Sequence, residues 1–405
     1  MSSAEVRVAA VIALKATLDL LLVYGFGGVL TRKRLFEGTT RTIFSRFGFL
    51  VFFPMLILSA PRSYDGHAFV HYAAVLWCAS TVHIIGGYLL ATAAVRLLPV
   101  PPAERAFVQL MVAFGNNATL PFLIVTAICD TWKHTRDDPT APARAYGMII
   151  IYGTPWTLLF FTLGRWSMER AARHETRLAG AQAQSDAPEV MGPGPSQQGT
   201  RATRARTACL QRALRAAHRF AAETPSVPAE LLAIAIACIE PLRQALYFGP
   251  LDSFGRVARL VGQPTISVGA LVTGGALCTS FATEGFGTLR GRWKVVWLVI
   301  GLKLVLLPLV FYPLTYGAMR RGWLTSRDPL LLFVVLLQCA VPSAQFVVSL
   351  AQLSLSERST GRLASLYLPL YLCSWATMTV AVGAALWLVD GLLDAPSSSP
   401  PDLVS

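Results

Sequence analysis

Charge is what this sequence has least of. Only 14% of its 405 residues are Asp, Glu, Lys or Arg, and 54% are hydrophobic. Mean hydropathy is +0.52. A soluble domain carries roughly 25% charged residues, so this chain cannot cover a water-facing surface of its size. Runs such as Phe47 to Leu58, Ala145 to Leu163 and Leu330 to Leu337 have almost no polar interruption. A soluble enzyme, a nucleic-acid binder and a disordered chain are excluded on these grounds. The seven cysteines are scattered without a C-x-x-C pair, which leaves neither a zinc site nor a disulfide framework. No G-x-x-x-x-G-K-[ST], H-E-x-x-H or G-x-S-x-G occurs, so ATP-driven pumping, zinc hydrolysis and serine hydrolysis lack their usual parts. No cofactor is expected. The first ten residues lack the charged and apolar regions of a removable signal, and the last nine carry no lipidation or retention signal.

What is present is a polytopic membrane chain. A spanning helix needs about 20 apolar residues, and windows of that size give ten spans. Five lie near 6–28, 42–60, 71–94, 105–129 and 144–164; five more lie near 227–247, 256–280, 293–317, 328–353 and 364–389. The predicted organisation is a first five-helix repeat over 1–165, a linker over 166–225, a second repeat over 226–392 and a tail over 393–405. The linker opens with a flexible Ala-, Gly-, Gln-, Ser- and Pro-rich stretch. It continues through Arg201 to Phe220, either a solvated tether or a basic amphipathic helix on anionic lipid.

The net charge of +13 sits in the gaps between spans, where it orients the chain rather than binding nucleic acid. Lys and Arg number 21 in and beside the gaps after odd spans and 10 after even spans. The linker is therefore expected on the cytosolic side, with both termini opposite. Five spans per half invert the second half relative to the first, the plan of many secondary transporters. Prolines match between halves: Pro121 and Pro342 in the fourth span of each, Pro155 and Pro369 in the fifth. Proline in a spanning helix frees carbonyls that need other partners or a cavity. The fold expected is all-α, with proline-broken helices 4 and 9 crossing near the midplane.

Asparagine is rarer still. The chain has two, the adjacent Asn116 and Asn117, just ahead of Pro121 in FGNNATLPFLIV. Side-chain amides in hydrocarbon are costly without partners, so they act either as interhelical glue or as substrate ligands. The second half offers Gln338, Ser343 and Gln345 around Pro342. Half-helix N-termini at such a crossing favour an anion. Lys303 lies mid-span without a local partner, as counter-charge for an anionic substrate or as donor to freed carbonyls. Lys15 and Asp19, at i and i+4, read as a self-contained ion pair. His83 and Glu240 are candidates for proton coupling, with packing as the competing reading for His83 and an interfacial position for Glu240.

These residues resemble a known family. FGNNATLPFLIVTAIC is similar to the fourth-span motif of the PIN-LIKES proteins of the auxin efflux carrier family, and RDPLLLFVVLLQCAVPSAQ is similar to their ninth. Lys15 and Lys303 also fall where that family carries basic residues. The resemblance covers both halves and not the linker. It implies a ten-span carrier of auxin (indole-3-acetate) or a similar organic-acid anion. Its partners would be that small acid and the lipid bilayer, with no nucleic acid and room for a homodimer. It favours the endoplasmic reticulum, with the plasma membrane as alternative. Ser343, Ala344 and Gln345 stand where the family usually has an asparagine and a second proline, a difference that bears on the pocket. A dicarboxylate carrier and a non-transporting receptor or scaffold are the competing readings.

Overall fold

The computed structural model describes residues 3–63, 66–185, 224–284, 291–321 and 328–393. Every regular element among them is helical. The first half contains α1 (Ser3–Arg32), α2 (Gly38–Phe47), α3 (Phe53–Ser59), α4 (Gly66–Leu97), α5 (Pro102–Ala113), α6 (Thr119–Cys129), α7 (Ala141–Leu159) and α8 (Arg165–Ser185). The second contains α9 (Ser226–Cys238), α10 (Glu240–Tyr247), α11 (Asp252–Gly262), α12 (Pro264–Glu284), α13 (Trp293–Ile300), α14 (Leu307–Arg320), α15 (Pro329–Ala340), α16 (Phe346–Ser354), α17 (Glu357–Ser365) and α18 (Tyr367–Leu393).

Six helical runs are long and apolar enough to cross a membrane: Gly38–Arg62, Tyr72–Leu97, Ala141–Arg177, Asp252–Thr283, Trp293–Arg320 and Glu357–Leu393. Three expected spans are each delivered in two pieces. Residues 105–129 become α5 and α6, 227–247 become α9 and α10, and 328–353 become α15 and α16. The pieces Thr119–Cys129, Ser226–Cys238 and Pro329–Ala340 are apolar but too short to span alone. Large apolar side chains face outward along the helices, among them Leu22, Phe26, Leu309, Val380 and Trp387. That is the surface a bilayer covers.

Three helices widen by one turn of π-helix, at Gly48–Phe52, Phe160–Gly164 and Gly301–Leu306. Two of these turns run directly into a proline-bearing helix start, Pro54 and Pro308. A proline ring clashes with the carbonyl four residues earlier, and the wider turn relieves the clash.

The halves pack on each other closely. α1 runs along α12, and α9 lies against α3. A Cβ on Gly274 would sit 2.1 Å from the Tyr24 carbonyl oxygen, and one on Gly27 would sit 2.4 Å from that of Leu271. Glycine at both positions is what lets the two backbones meet, as small residues do between membrane helices.

Two expectations change. Residues 165–185 form α8, a continuation of the fifth-span helix, so the start of the expected flexible linker is helical. Ser359 Oγ donates to Glu175 of α8 at 2.9 Å, tying that helix to α17. The basic stretch Arg201 to Phe220 and the tail from 394 lie outside the described residues. Lys15 and Asp19 are both exposed on α1, and no salt bridge joins them among the described residues.

Candidate functional site

α5 stops at Ala113 and α15 stops at Ala340; each is followed by five residues of non-helical backbone, 114–118 and 341–345. The two segments pair antiparallel at Gly115 and Ser343. Asn116 N donates to Pro342 O at 2.7 Å, and Ala344 N donates to Phe114 O at 2.9 Å. Only one of the two prolines sits in its helix break. Pro121 occupies the first turn of α6, where a missing N–H costs nothing. Pro342 lies within the extended segment and uses only its carbonyl. Gly115 is required by closeness: a Cβ there would lie 2.9 Å from Val341 Cγ2 and 3.2 Å from Lys303 Nζ.

Breaking two helices frees a set of carbonyls, and side chains take them up. Lys303 Nζ donates to Val112 O at 3.1 Å. Ser343 Oγ donates to Met111 O. Trp156 Nε1 donates to Gly115 O at 3.1 Å and Gln338 Nε2 to Asn117 O at 3.0 Å. Tyr371 OH donates to Ser343 O at 2.9 Å, and Tyr367 OH to Ala344 O at 2.6 Å. Asn116 accepts from Thr119 N at 3.2 Å through Oδ1, and its Nδ2 donates to Tyr371 OH at 3.1 Å. An unpaired carbonyl in this setting costs about 1–3 kcal/mol. The polar residues of the junction therefore have a structural task; for Asn116 and Lys303 it is one of the two roles that the sequence left open.

Asn117 is different. It is only half-buried, and among the described residues no side chain bonds its amide. It lies on the wall of a cavity of about 650 Å³. Apolar groups dominate the rest of the lining, including Phe53, Ile57, Phe122, Tyr146 and Ile150. Ser59 to Arg62, Pro139 and Pro142 place its mouth at the end of α3 and the connection from α6 to α7. Arg62 and Arg259 stand exposed at that rim. In the same connection Asp138 accepts from Thr140 Oγ1 at 2.6 Å and Thr140 N at 2.8 Å, with Arg144 at 2.7 Å. Those Thr140 bonds first, then Arg144, hold its carboxyl below the usual range.

The structure thus brings Asn116, Asn117, Gln338, Pro342, Ser343 and Lys303 to one junction, and only Asn117 of these faces the large cavity. Lys303 is 3% exposed and borders a second, smaller space with His83, Tyr152 and Gln338, which Asn117 also lines. His83 Nδ1 lies 2.9 Å from Tyr152 OH and its ring packs edge-on against Phe311, the packing role expected of it. Gln345 turns instead toward α12, with Oε1 3.7 Å from the Cβ position of Gly269 and its amide beside the hydroxyls of Tyr24 and Tyr371. Glu240 is at the protein surface, paired with Arg243. One residue escaped the sequence reading altogether. Glu230 on α9 is 3% exposed, lines the cavity, and accepts from Thr154 Oγ1 at 2.7 Å. It lies close to the expected start of the sixth span, where sequence alone does not tell a buried acid from one at the membrane surface.

The chain is similar to known proteins. Protein PIN-LIKES 2 of Arabidopsis thaliana is 24% identical over 391 residues, covering 80% of this chain and 82% of its own length. Protein PIN-LIKES 5 of the same plant is 21% identical over 285 residues, covering 67% and 70%. Protein PIN-LIKES 1 is 27% identical over 286 residues, with 67% of this chain and 56% of the relative aligned. The model of the membrane transport protein family matches residues 12–381. The chain therefore belongs to that family, the auxin efflux carrier family of multi-pass membrane transporters, and is not an enzyme.

Proposed function

We propose that this protein is a secondary transporter of an amphipathic organic-acid anion, of indole-3-acetate or a close chemical relative, working by alternating access. The observation that carries the reading is the large cavity with Asn117 on its wall. Its apolar lining suits an aromatic or aliphatic body, and the unbonded amide suits a carboxylate. The N-terminus of α6 begins two residues beyond Asn117 and adds partial positive charge beside it. The rim arginines Arg62 and Arg259 would draw anions toward the mouth. Among the described residues no cation lines this cavity deeper than its rim, so a monocarboxylate fits better than a dicarboxylate.

The architecture we infer is ten spans in two inverted repeats, with the fourth and ninth crossing at 114–118 and 341–345. Reciprocal packing supports it. The first span lies on the seventh (α1 on α12), and the sixth lies on the second (α9 on α3), as two repeats exchanging partners would. On this reading Asn117 is the principal substrate ligand. Asn116, Gln338, Ser343 and Lys303 hold the crossing, and Gln345 waits on the other face of it. The lysine and arginine bias supports a cytosolic linker, and on that orientation the cavity mouth, at the opposite helix ends, faces a lumen or the outside. Relation to the PIN-LIKES branch favours the endoplasmic reticulum over the plasma membrane.

The test is flux of radiolabelled acids in vesicles containing the purified protein. Saturable uptake of indole-3-acetate, competed by aromatic monocarboxylates and not by malate, is expected. Uptake of malate in preference would favour the dicarboxylate alternative. Binding without flux of any acid would favour a receptor.

A further inference from the structure

Glu230 stands apart from every other acid in the described structure. It is buried in the wall of the cavity that Asn117 also lines. Thr154 donates to it, with Thr157 beside it on the same helix, and no ion pair reaches it among the described residues. An ionised carboxylate in an apolar wall is costly without a counter-charge, and two hydroxyls offset only part of that cost.

Among the described residues, the elements around α9 supply none. α3 has no ionisable side chain, and the turn after it contributes only Arg62, at the rim. On α4, Tyr72 donates to Asp328 and His83 pairs with Tyr152. On α7, Arg144 is held by Asp138 and Asp328, and Tyr146 by Thr126. On α10, Glu240 and Arg243 neutralise each other. The remaining charged group of the cavity, Arg259, is exposed at the mouth.

A second consideration comes from the cargo. Two carboxylates confined in one cavity repel, so an anion entering beside Asn117 raises the affinity of Glu230 for a proton. By linkage a proton bound at Glu230 must strengthen binding of the anion equally.

We propose that Glu230 is the proton-carrying group of the transport cavity, so that one proton enters with one monoanion and the pair crosses as a neutral unit. The proton is taken from water at the mouth and completes the Glu230 carboxylic acid as the anion binds. When the cavity opens on the other side the anion departs, and the proton leaves to the same side. This inference rests on the transport reading above.

The experiment measures binding of indole-3-acetate to purified protein between about pH 6 and about pH 9, where the ligand itself stays ionised. Wild-type affinity should fall by up to tenfold per pH unit once Glu230 loses its proton. Glu230→Gln, permanently neutral, should bind with no such dependence. Thr154→Val, which removes a donor to the charged form, should move the wild-type fall to higher pH. A flat wild-type profile, or the same slope in Glu230→Gln, overturns the proposal. A second measurement needs no ligand. A hydrophobic carbodiimide attacks protonated buried carboxyl groups, and peptide mass spectrometry should find it on Glu230, with labelling that declines as pH rises. Absence of indole-3-acetate binding together with pH-dependent labelling would overturn the substrate reading and leave the proton site standing. Absence of labelling at every pH overturns the proton site itself.

Discussion

Lys303 Nζ sits 3.1 Å from the Val112 carbonyl oxygen, in the last turn of a helix that stops at Ala113. A cation at the C-terminal end of a broken helix satisfies a freed carbonyl and complements the helix dipole in one contact. Of the two roles the sequence left open for this lysine, the geometry favours the donor to freed backbone.

Lys303→Met should therefore act first on stability. Losing a charged donor and leaving Val112 O unpaired should cost about 1–3 kcal/mol, read as a lower melting temperature in detergent. Indole-3-acetate affinity of the folded fraction should stay within a few-fold of wild type. Lost binding with an unchanged melting temperature would return Lys303 to the role of substrate counter-charge.

The two asparagines should separate. On the proposed reading, Asn117→Ala should remove one hydrogen bond to a charged ligand, worth about 1.5–3 kcal/mol or roughly ten- to a hundredfold in affinity. Asn116 bonds Tyr371 and the start of α6, so Asn116→Ala should lower melting temperature more than affinity. Asn117→Asp should repel the anion outright. Wild-type uptake by Asn117→Asp would place the carboxylate elsewhere.

Gly153 gives a gentler probe of the same site. A Cβ there would lie 3.2 Å from Asn117 Nδ2. Gly153→Ala should push the amide aside and raise the half-saturation concentration several-fold. An unchanged value would mean that the Asn117 amide can shift without loss.

Gly274→Ala should separate α1 from α12, because the added methyl would meet the Tyr24 carbonyl and not a side chain that can swing away. Overpacking of this kind costs about 1–3 kcal/mol or more. Reduced melting temperature and poor recovery of monodisperse protein are expected.

Topology is open to chemistry as well. A cysteine at Ser196, in a background without native cysteines, should react with a membrane-impermeant maleimide only from the cytosolic side. Reaction from the opposite side of sealed membranes would reverse the assigned orientation.

Composition and hydropathy alone determined that this is a helical membrane protein, because scarcity of charge and the length of apolar runs are properties of the chain that no packing can alter. The placement of a special feature at residues 114–121 was legible too, since both asparagines of the chain fall there. Windowed hydropathy also located 105–129 and 328–353, but it could not show that each is two helices, because a break of five residues leaves the average unchanged. Tertiary structure decided the rest. Which carbonyl each polar side chain would satisfy depends on how two distant segments meet, so Asn116, Gln338, Ser343 and Lys303 could be told from Asn117 only after folding. Glu230 shows the same limit from the other side. In sequence it is one acid near the start of an apolar run, and only the packing of α9 against α3 and α7 closes water away from it. Burial is a property of neighbours, and those neighbours lie far away along the chain.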